Sequence, residues 1–280
     1  MSLLVFSAIL AAALLHAMWN ALIRRDPDRT AATTAMAAGG LVVGLVAAPL
    51  LPAMDPAAVP FVLGSSFFHI AYYTLVARAY RHAELSVAYP IMRGLAPVIV
   101  TVIGLVFLHE LVGPLQFIGI LVVAAGIVAL ALDGWRSGKT AGVASALLNA
   151  LVIAGYTLVD GLGSRVAGEP LTYTAWILFS GGLLTVAWNA VQRPRTVLDE
   201  IRVRWPTGLI GGLMGFVAYA VALWAMTEAP IGAVAAVRES SVLFAAALGA
   251  LLLGERFGPA RWASAILVLA GLAMVRFGGA

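Results

Sequence analysis

The chain has 280 residues, 62% of them hydrophobic and 11% charged, with a mean hydropathy of +1.00 and a formal net charge of +4. A soluble domain of this size carries roughly a quarter charged residues, so the composition excludes a water-soluble globule and describes a chain whose solvent is lipid. The isoelectric point near 9.8 comes from basic residues in short loops between apolar runs, where they set orientation and leave no case for a nucleic-acid partner, and the absence of cysteine removes disulfides and thiolate metal sites.

Ten apolar segments follow one another, each of a length that crosses a hydrocarbon core of about 30 Å. The first, 3–23, starts at once without a basic leader and is followed by Arg24 and Arg25, so it is expected to be a span and not a cleaved signal. It presents His16, Trp19 and Asn20 on one face. The second covers 31–51 and carries Gly39 and Gly40. The third, 59–79, places His69, Tyr72, Tyr73 and Val76 at helical spacing along one stripe. The fourth, 85–107, has Tyr89 one turn before Arg93, and Pro90 and Pro97 flanking Gly94 predict a kinked or locally unwound helix at mid-membrane.

The fifth span, 114–132, follows Glu110 and opens on Pro114. The sixth, 140–162, carries Asn149, Tyr156 and Asp160, the last close enough to the outer end to be interfacial. The seventh is 171–190 and contains Gly181 and Gly182. The eighth, 207–227, has Gly211, Gly212 and Gly215 followed by Tyr219 and Trp224, the ninth, 231–253, holds Arg238 and Glu239, and the tenth is 259–276. Paired glycines predict close helix contacts. Tyr173, Trp176, Trp188 and Trp262 fit interfacial anchors. No gap between spans is long enough to fold alone.

The spans form two copies. Arg93-Gly94-Leu95-Ala96 aligns with Arg238-Glu239-Ser240-Ser241, 145 positions on, and the register continues through Gly104 over Gly249, Glu110 over Glu255, Pro114 over Pro259 and Gly126 over Gly271. The early spans also correspond, Ala13-Leu14-Leu15-His16-Ala17 over Ala146-Leu147-Leu148-Asn149-Ala150 and Ala38-Gly39-Gly40-Leu41 over Ser180-Gly181-Gly182-Leu183, with small register shifts. Residues 1–135 and 136–280 are therefore expected as two five-helix units. Five is odd, so the second unit enters from the opposite face, and the expected fold is an all-α polytopic membrane protein of ten transmembrane helices in two inverted five-helix repeats around a central cavity.

The loops after odd-numbered spans carry 13 of the 17 Lys and Arg, and the opposite face only Arg165 and Arg276. That bias places the basic loops in the cytoplasm and both termini outside, as expected for a multi-pass protein of a bacterial inner membrane.

Ionisable groups at membrane depth are functional candidates. Arg93 and Arg238 occupy equivalent places in the two copies, where a guanidinium either holds a carboxylate or phosphate or pairs with Glu239, a backbone carbonyl or a neighbouring helix end. An organic solute would meet His69, Tyr72, Tyr73, Tyr89, His16, Trp19, Asn20, Tyr156, Tyr219 and Trp224, by stacking and cation–π contact; the same aromatics also serve as packing residues. Glu239 and Asp160 are the candidates for ion coupling, with His16 and His69 as further titratable groups. Glu110 and Glu255 are better explained by structure, as carboxylates near the positive N-terminus of the following helix, with Pro114 and Pro259 in its first turn. No cofactor, no metal constellation and no loop cluster of acids or histidines suited to an enzyme is present. A monomer suffices.

The repeat, with the ninth span running out through Gly254-Glu255-Arg256-Phe257 and on through Pro259 to Leu269-Ala270-Gly271, and His109-Glu110-Leu111-Val112 as its first copy, resembles the EamA-type exporters of the drug/metabolite transporter superfamily and, within them, the amino-acid exporter branch. The resemblance implies a cavity lined by spans 1, 3, 4, 6, 8 and 9, spans 5 and 10 at the periphery, and alternating-access export of amino acids or related small metabolites. The alternative is a proton-coupled exporter of lipophilic cations, for which Glu239 would be the acidic site. Many of these exporters are assigned cytoplasmic termini, opposite to the loop charges here, and Arg93-Gly94-Leu95-Ala96-Pro97 stands where relatives often have a polar or aromatic residue before the proline.

Overall fold

The computed structural model describes residues 1–82, 85–129, 142–253 and 258–279, and every regular element in them is helical. In chain order these are α1 (Leu3–Arg25), α2 (Arg29–Ala47), α3 (Val59–His82), α4 (Leu85–Phe107), α5 (Pro114–Ala129), α6 (Val143–Ala167), α7 (Pro170–Gln192), α8 (Val197–Val203), α9 (Trp205–Glu228), α10 (Ile231–Arg238), α11 (Ser241–Leu253) and α12 (Pro259–Phe277). Among the described residues six stretches have the length and apolarity to cross a bilayer, and three shorter apolar ones accompany them. The chain is a multi-pass membrane protein.

Local chemistry fixes the helix ends. Ser2 caps α1 by accepting from the Val5 N–H, and the Asp28 carboxylate accepts from Thr30 and Ala31 at the start of α2. Proline occupies the first turn of α7, α9 and α12, where its missing N–H costs nothing.

The ninth predicted span is two helices. α10 stops at Arg238, the Glu239 and Ser240 N–H groups bond three residues back to Ala236 and Val237 instead of four, and α11 restarts at Ser241. Of the kinked or locally unwound helix expected in the fourth span, the unwinding is absent: α4 runs unbroken past Pro90, Gly94 and Pro97. Proline alone does not unwind a helix whose neighbours pack the freed carbonyl, and α4 is backed by α5, α6 and α10. The break falls instead in the repeat partner, where the Glu239 side chain turns aside to form an ion pair.

Contacts between elements repeat under exchange of the two halves. α3 packs on α6 as α1 packs on α9, α4 on α6 as α1 on α11, and α2 on α9 as α3 on α7; α2 meets α7, α5 meets α12 and α4 meets α10 across the pseudo-twofold axis. This is the contact pattern of two inverted five-helix repeats. The glycine expectation holds in part. A Cβ at Gly39 would overlap the Gly208 carbonyl oxygen, one at Gly212 the Gly40 backbone, and one at Gly182 would come within 2.6 Å of the Ala37 oxygen, so α2 rests on α7 and α9 backbone to backbone. Gly181 faces open space. Its neighbour one position on carries that contact.

Candidate functional site

Two apolar clusters fill the protein interior. The larger joins α1, α5, α9, α10 and α12 around Ile9, Ile120, Leu223 and Val234, and the smaller sits between α4 and α6 around Ile91, Met92, Ala146 and Ile153. The ionisable residues at mid-membrane lie at the junction of the two.

Arg93 Nε donates to Glu239 Oε2 at 2.9 Å, with both side chains largely buried. The Arg238 guanidinium lies over the Tyr219 ring, 5.2 Å from its centroid. Among the described residues no carboxylate lies within ion-pair distance of Arg238 and no hydrogen bond takes up its N–H donors. The two equivalent arginines therefore differ in what they do: one is spent on an acid from the other half, and one is held by a ring face with its fork open. The charges of both reach His16 and Tyr156. His16 meets Trp19 edge-on at 4.8 Å. His69 stacks on Tyr156 at 5.1 Å, and Tyr72 meets the same tyrosine edge-on at 6.3 Å.

Asp160 is not interfacial. It sits two turns inside the end of α6 with no exposed surface, accepting from the Tyr219 hydroxyl at Oδ2 and from the Tyr173 hydroxyl at Oδ1, 3.3 Å away, with Ser65 and His69 beside it. Tyr173, expected as an outer anchor, is fully buried: α7 turns it inward against α6 where Gly163 leaves room, and the carboxylate takes its hydroxyl. Trp176, Trp188 and Trp262 remain substantially exposed, as anchors should be.

Of the other candidates, Asn20 spends its amide on the His16 carbonyl of its own helix, 2.8 Å away, and Trp224 packs against the larger apolar cluster. The side chains of Tyr73 and Tyr89 lie outside the described residues, as does the Gly254–Phe257 segment with Glu255. Three polar atoms outside the expected contacts are buried with no protein hydrogen bond, Ser240 Oγ, Ser241 Oγ and Asn149 Oδ1, and so is Nε1 of the expected contact Trp19. Asn149 Nδ2 reaches Met92 Sδ, next to Arg93. Buried polar atoms are ordinarily satisfied, so these are available to a guest, the serine hydroxyls and the Asn149 oxygen as acceptors and the Trp19 N–H as a donor on the side of the Asp26–Arg204 pair. No single motif would have revealed them, since the two serines simply follow Glu239 at the helix break.

Each end of the bundle carries an arginine paired with an acid. On the face holding both termini, Arg165 Nη2 bonds Glu110 Oε1 at 2.6 Å and the Ala229 carbonyl at 3.2 Å, while its Nε bonds the Met226 carbonyl at 2.8 Å. Glu110 in turn accepts from the Ile231 N–H. The carboxylate therefore caps α10 of the other repeat and not α5, the helix after it, as the sequence suggested. His109, at φ 52°, makes the left-handed turn that sends Glu110 back, and Gly104 leaves space for its Oε2, which would lie 2.8 Å from a Cβ there. Arg165 meanwhile satisfies the last carbonyls of α9. On the opposite face Arg204 makes two bonds to Asp26, at 2.7 and 3.0 Å, joining α1 to α9. The Arg204 guanidinium holds the Asp26 carboxyl below the usual carboxylate range. A cleft between α1, α2 and α9, lined by Trp19, Ile23, Met36 and Gly211, lies just inside this pair.

The model of the EamA-like transporter family matches residues 2–132 and again 140–277. Curated proteins give no match. Among solved structures 29 chains match; one, titled only as a crystal structure of a protein, is 18% identical, covers 98% of both chains and superposes with a TM-score of 0.72. At that identity the likeness carries the fold alone.

Proposed function

We propose, for a chain that belongs to the EamA-like transporter family, that it is a secondary carrier moving amino acids or related carboxylate-bearing metabolites by alternating access, with Arg238 as the anion-holding group. The single observation that supports this reading is the open guanidinium of Arg238, held in place over Tyr219 at the junction of the two repeats. A planar fork at a desolvated site suits a carboxylate, which accepts two parallel hydrogen bonds. Ser240, Ser241, Asn149 and Trp19 supply polar atoms awaiting partners, and the faces of Tyr156, Tyr72 and His16 supply apolar and aromatic contact. Arg93, paired with Glu239, acts as the tie between halves and becomes available only if that pair opens. The same pairing weighs against the lipophilic-cation alternative, which needs an unpaired acid at Glu239.

The Arg165–Glu110 and Asp26–Arg204 pairs are read as the two gates, opened one at a time as the repeats rock. We place the Asp26–Arg204 face in the cytoplasm of a bacterial inner membrane, on the distribution of basic loops, with net movement outward when metabolite accumulates inside.

The test is counterflow of a labelled panel of amino acids and other small carboxylates into proteoliposomes. Saturable exchange is expected. Arg238→Gln is expected to lower its rate by about 100-fold, and Arg238→Lys, which keeps the charge but not the fork, by about tenfold. Equal exchange of carboxylates by Arg238→Gln and the native protein would remove this reading, and movement of lipophilic cations alone would favour the alternative.

A further inference from the structure

We propose that Asp160 is a proton-binding site whose occupancy is coupled through Tyr219 to anion binding at Arg238; the coupling rests on the carrier reading above, the proton site does not. Asp160 is fully buried in α6, and among the described residues no arginine or lysine pairs with it. A buried carboxylate without a fixed counter-charge is costly when ionised. Both its oxygens are already taken by tyrosine hydroxyls, Tyr173 from α7 and Tyr219 from α9, with Ser65 from α3 against the same group. A proton is the ion that binds such a site without displacing a side chain.

The groups facing it from each packed element are few. α3 brings Ser65 and His69, α7 brings Tyr173, α9 brings Tyr219, and Tyr156 lies on α6 itself. The charges of Arg93 on α4, Arg238 on α10 and Glu239 beyond it reach Tyr156, and Arg238 lies on Tyr219. His69 Nδ1 lies 2.8 Å from the Ser65 carbonyl, which can only accept, so Nδ1 carries the hydrogen. On loading, the proton bonds to an Asp160 oxygen and gives a neutral carboxyl; on unloading, that O–H bond breaks, the electron pair stays on the carboxylate and the proton leaves as hydronium at the other face. Nothing is oxidised or reduced.

The coupling has a sign. Tyr219 carries Asp160 on its hydroxyl and Arg238 on its ring. Ionised Asp160 offsets part of the Arg238 charge, and protonation restores the full field of the guanidinium to an incoming carboxylate. Proton and anionic solute therefore favour one another's binding, and by reciprocity each raises the affinity of the other. They travel together, in whichever direction their summed gradients point.

Two measurements test this. In proteoliposomes an outside-acid gradient is expected to drive solute accumulation, limited to about tenfold per pH unit for one proton, and Asp160→Asn, fixed in the neutral form, should exchange solute without accumulation and without pH dependence, while Asp160→Glu restores both. Native exchange without accumulation would leave the carrier reading intact and overturn the coupling. The infrared spectrum of the purified protein needs no solute: a carboxylic-acid C=O band that is lost as pH is raised, vanishes in Asp160→Asn and persists in Glu239→Gln is expected. Absence of that band from the native protein, or its survival in Asp160→Asn, overturns the proton site even if no solute is ever found.

Discussion

Replacing Arg165 by methionine keeps the aliphatic stem and removes the donors that close the face bearing the termini. Three hydrogen bonds go at once, to Glu110 at 2.6 Å, Met226 at 2.8 Å and Ala229 at 3.2 Å. A hydrogen bond to a charged group contributes about 1.5–3 kcal/mol. Arg165 is 33% exposed, so water replaces much of what is lost and screens the rest. Glu110 is only 6% exposed and keeps the Ile231 N–H, but it loses its counter-charge. The closed arrangement is weakened by about 2 kcal/mol, or roughly 30-fold in the ratio of closed to open. Because the chain has no cysteine, Ala229→Cys introduces a unique thiol at the closed turn without background removal. Its labelling by a membrane-impermeant maleimide should accelerate about 10- to 30-fold in the Arg165→Met background, while a thiol at Met36→Cys, in the cleft near the other face, should label more slowly. Unchanged labelling at position 229 would refute the gate. Faster labelling at both positions would show a loosened bundle instead of an exchanged one.

Three further outcomes are expected. Gly39→Val forces a side chain onto the Gly208 carbonyl and should destabilise the detergent-solubilised protein by about 1–3 kcal/mol, whereas Gly181→Ala, which meets nothing within 4 Å, should melt like the native chain. Asp26 is held ionised by Arg204, so its stabilisation is complete above the ordinary carboxylate value of about 4 and is lost as pH falls through the lowered one; the melting difference between native protein and Asp26→Asn should persist at neutral pH and disappear under acid. Gly104→Leu should displace Glu110 from the α10 N-terminus and reproduce the labelling pattern of Arg165→Met.

The helical repeat was legible because it is written in residues with local meaning: prolines that open helices, glycines where backbones touch, and runs of lipid-compatible length. Much of the central constellation was legible too, since a charge at membrane depth is conspicuous. Partnership was not. Arg93 finds its acid 146 positions away, and Arg238, beside Glu239 in sequence, does not use it, because the helix ends between them and sends the carboxylate elsewhere. Asp160 looked peripheral on a segment whose end was placed at 162, and α6 runs five residues further, to Ala167. Glu110 has a local reading, the next helix, that competes with the distant one it adopts. Side-chain pairing across a bundle depends on rotation and depth, which periodicity constrains only to within a turn.

Inverted repeats make the two ends of a transport cycle images of one another, each half taking the shape the other had. Here the ninth span is interrupted after Arg238 while α4 passes unbroken through Arg93 and Gly94. Reversal would ask α4 to open at the equivalent point and the ninth span to straighten. The two changes are not matched in cost: Pro97 already deprives α4 of one backbone bond at the Arg93 carbonyl, whereas Val242, the aligned residue, imposes no such defect. Under the alternating-access proposal the unloaded carrier therefore has a resting side even in a membrane with no gradient. Half-saturation measured from one compartment should differ from that measured from the other by the ratio of those resting occupancies, an asymmetry carried by one imino acid and its missing hydrogen.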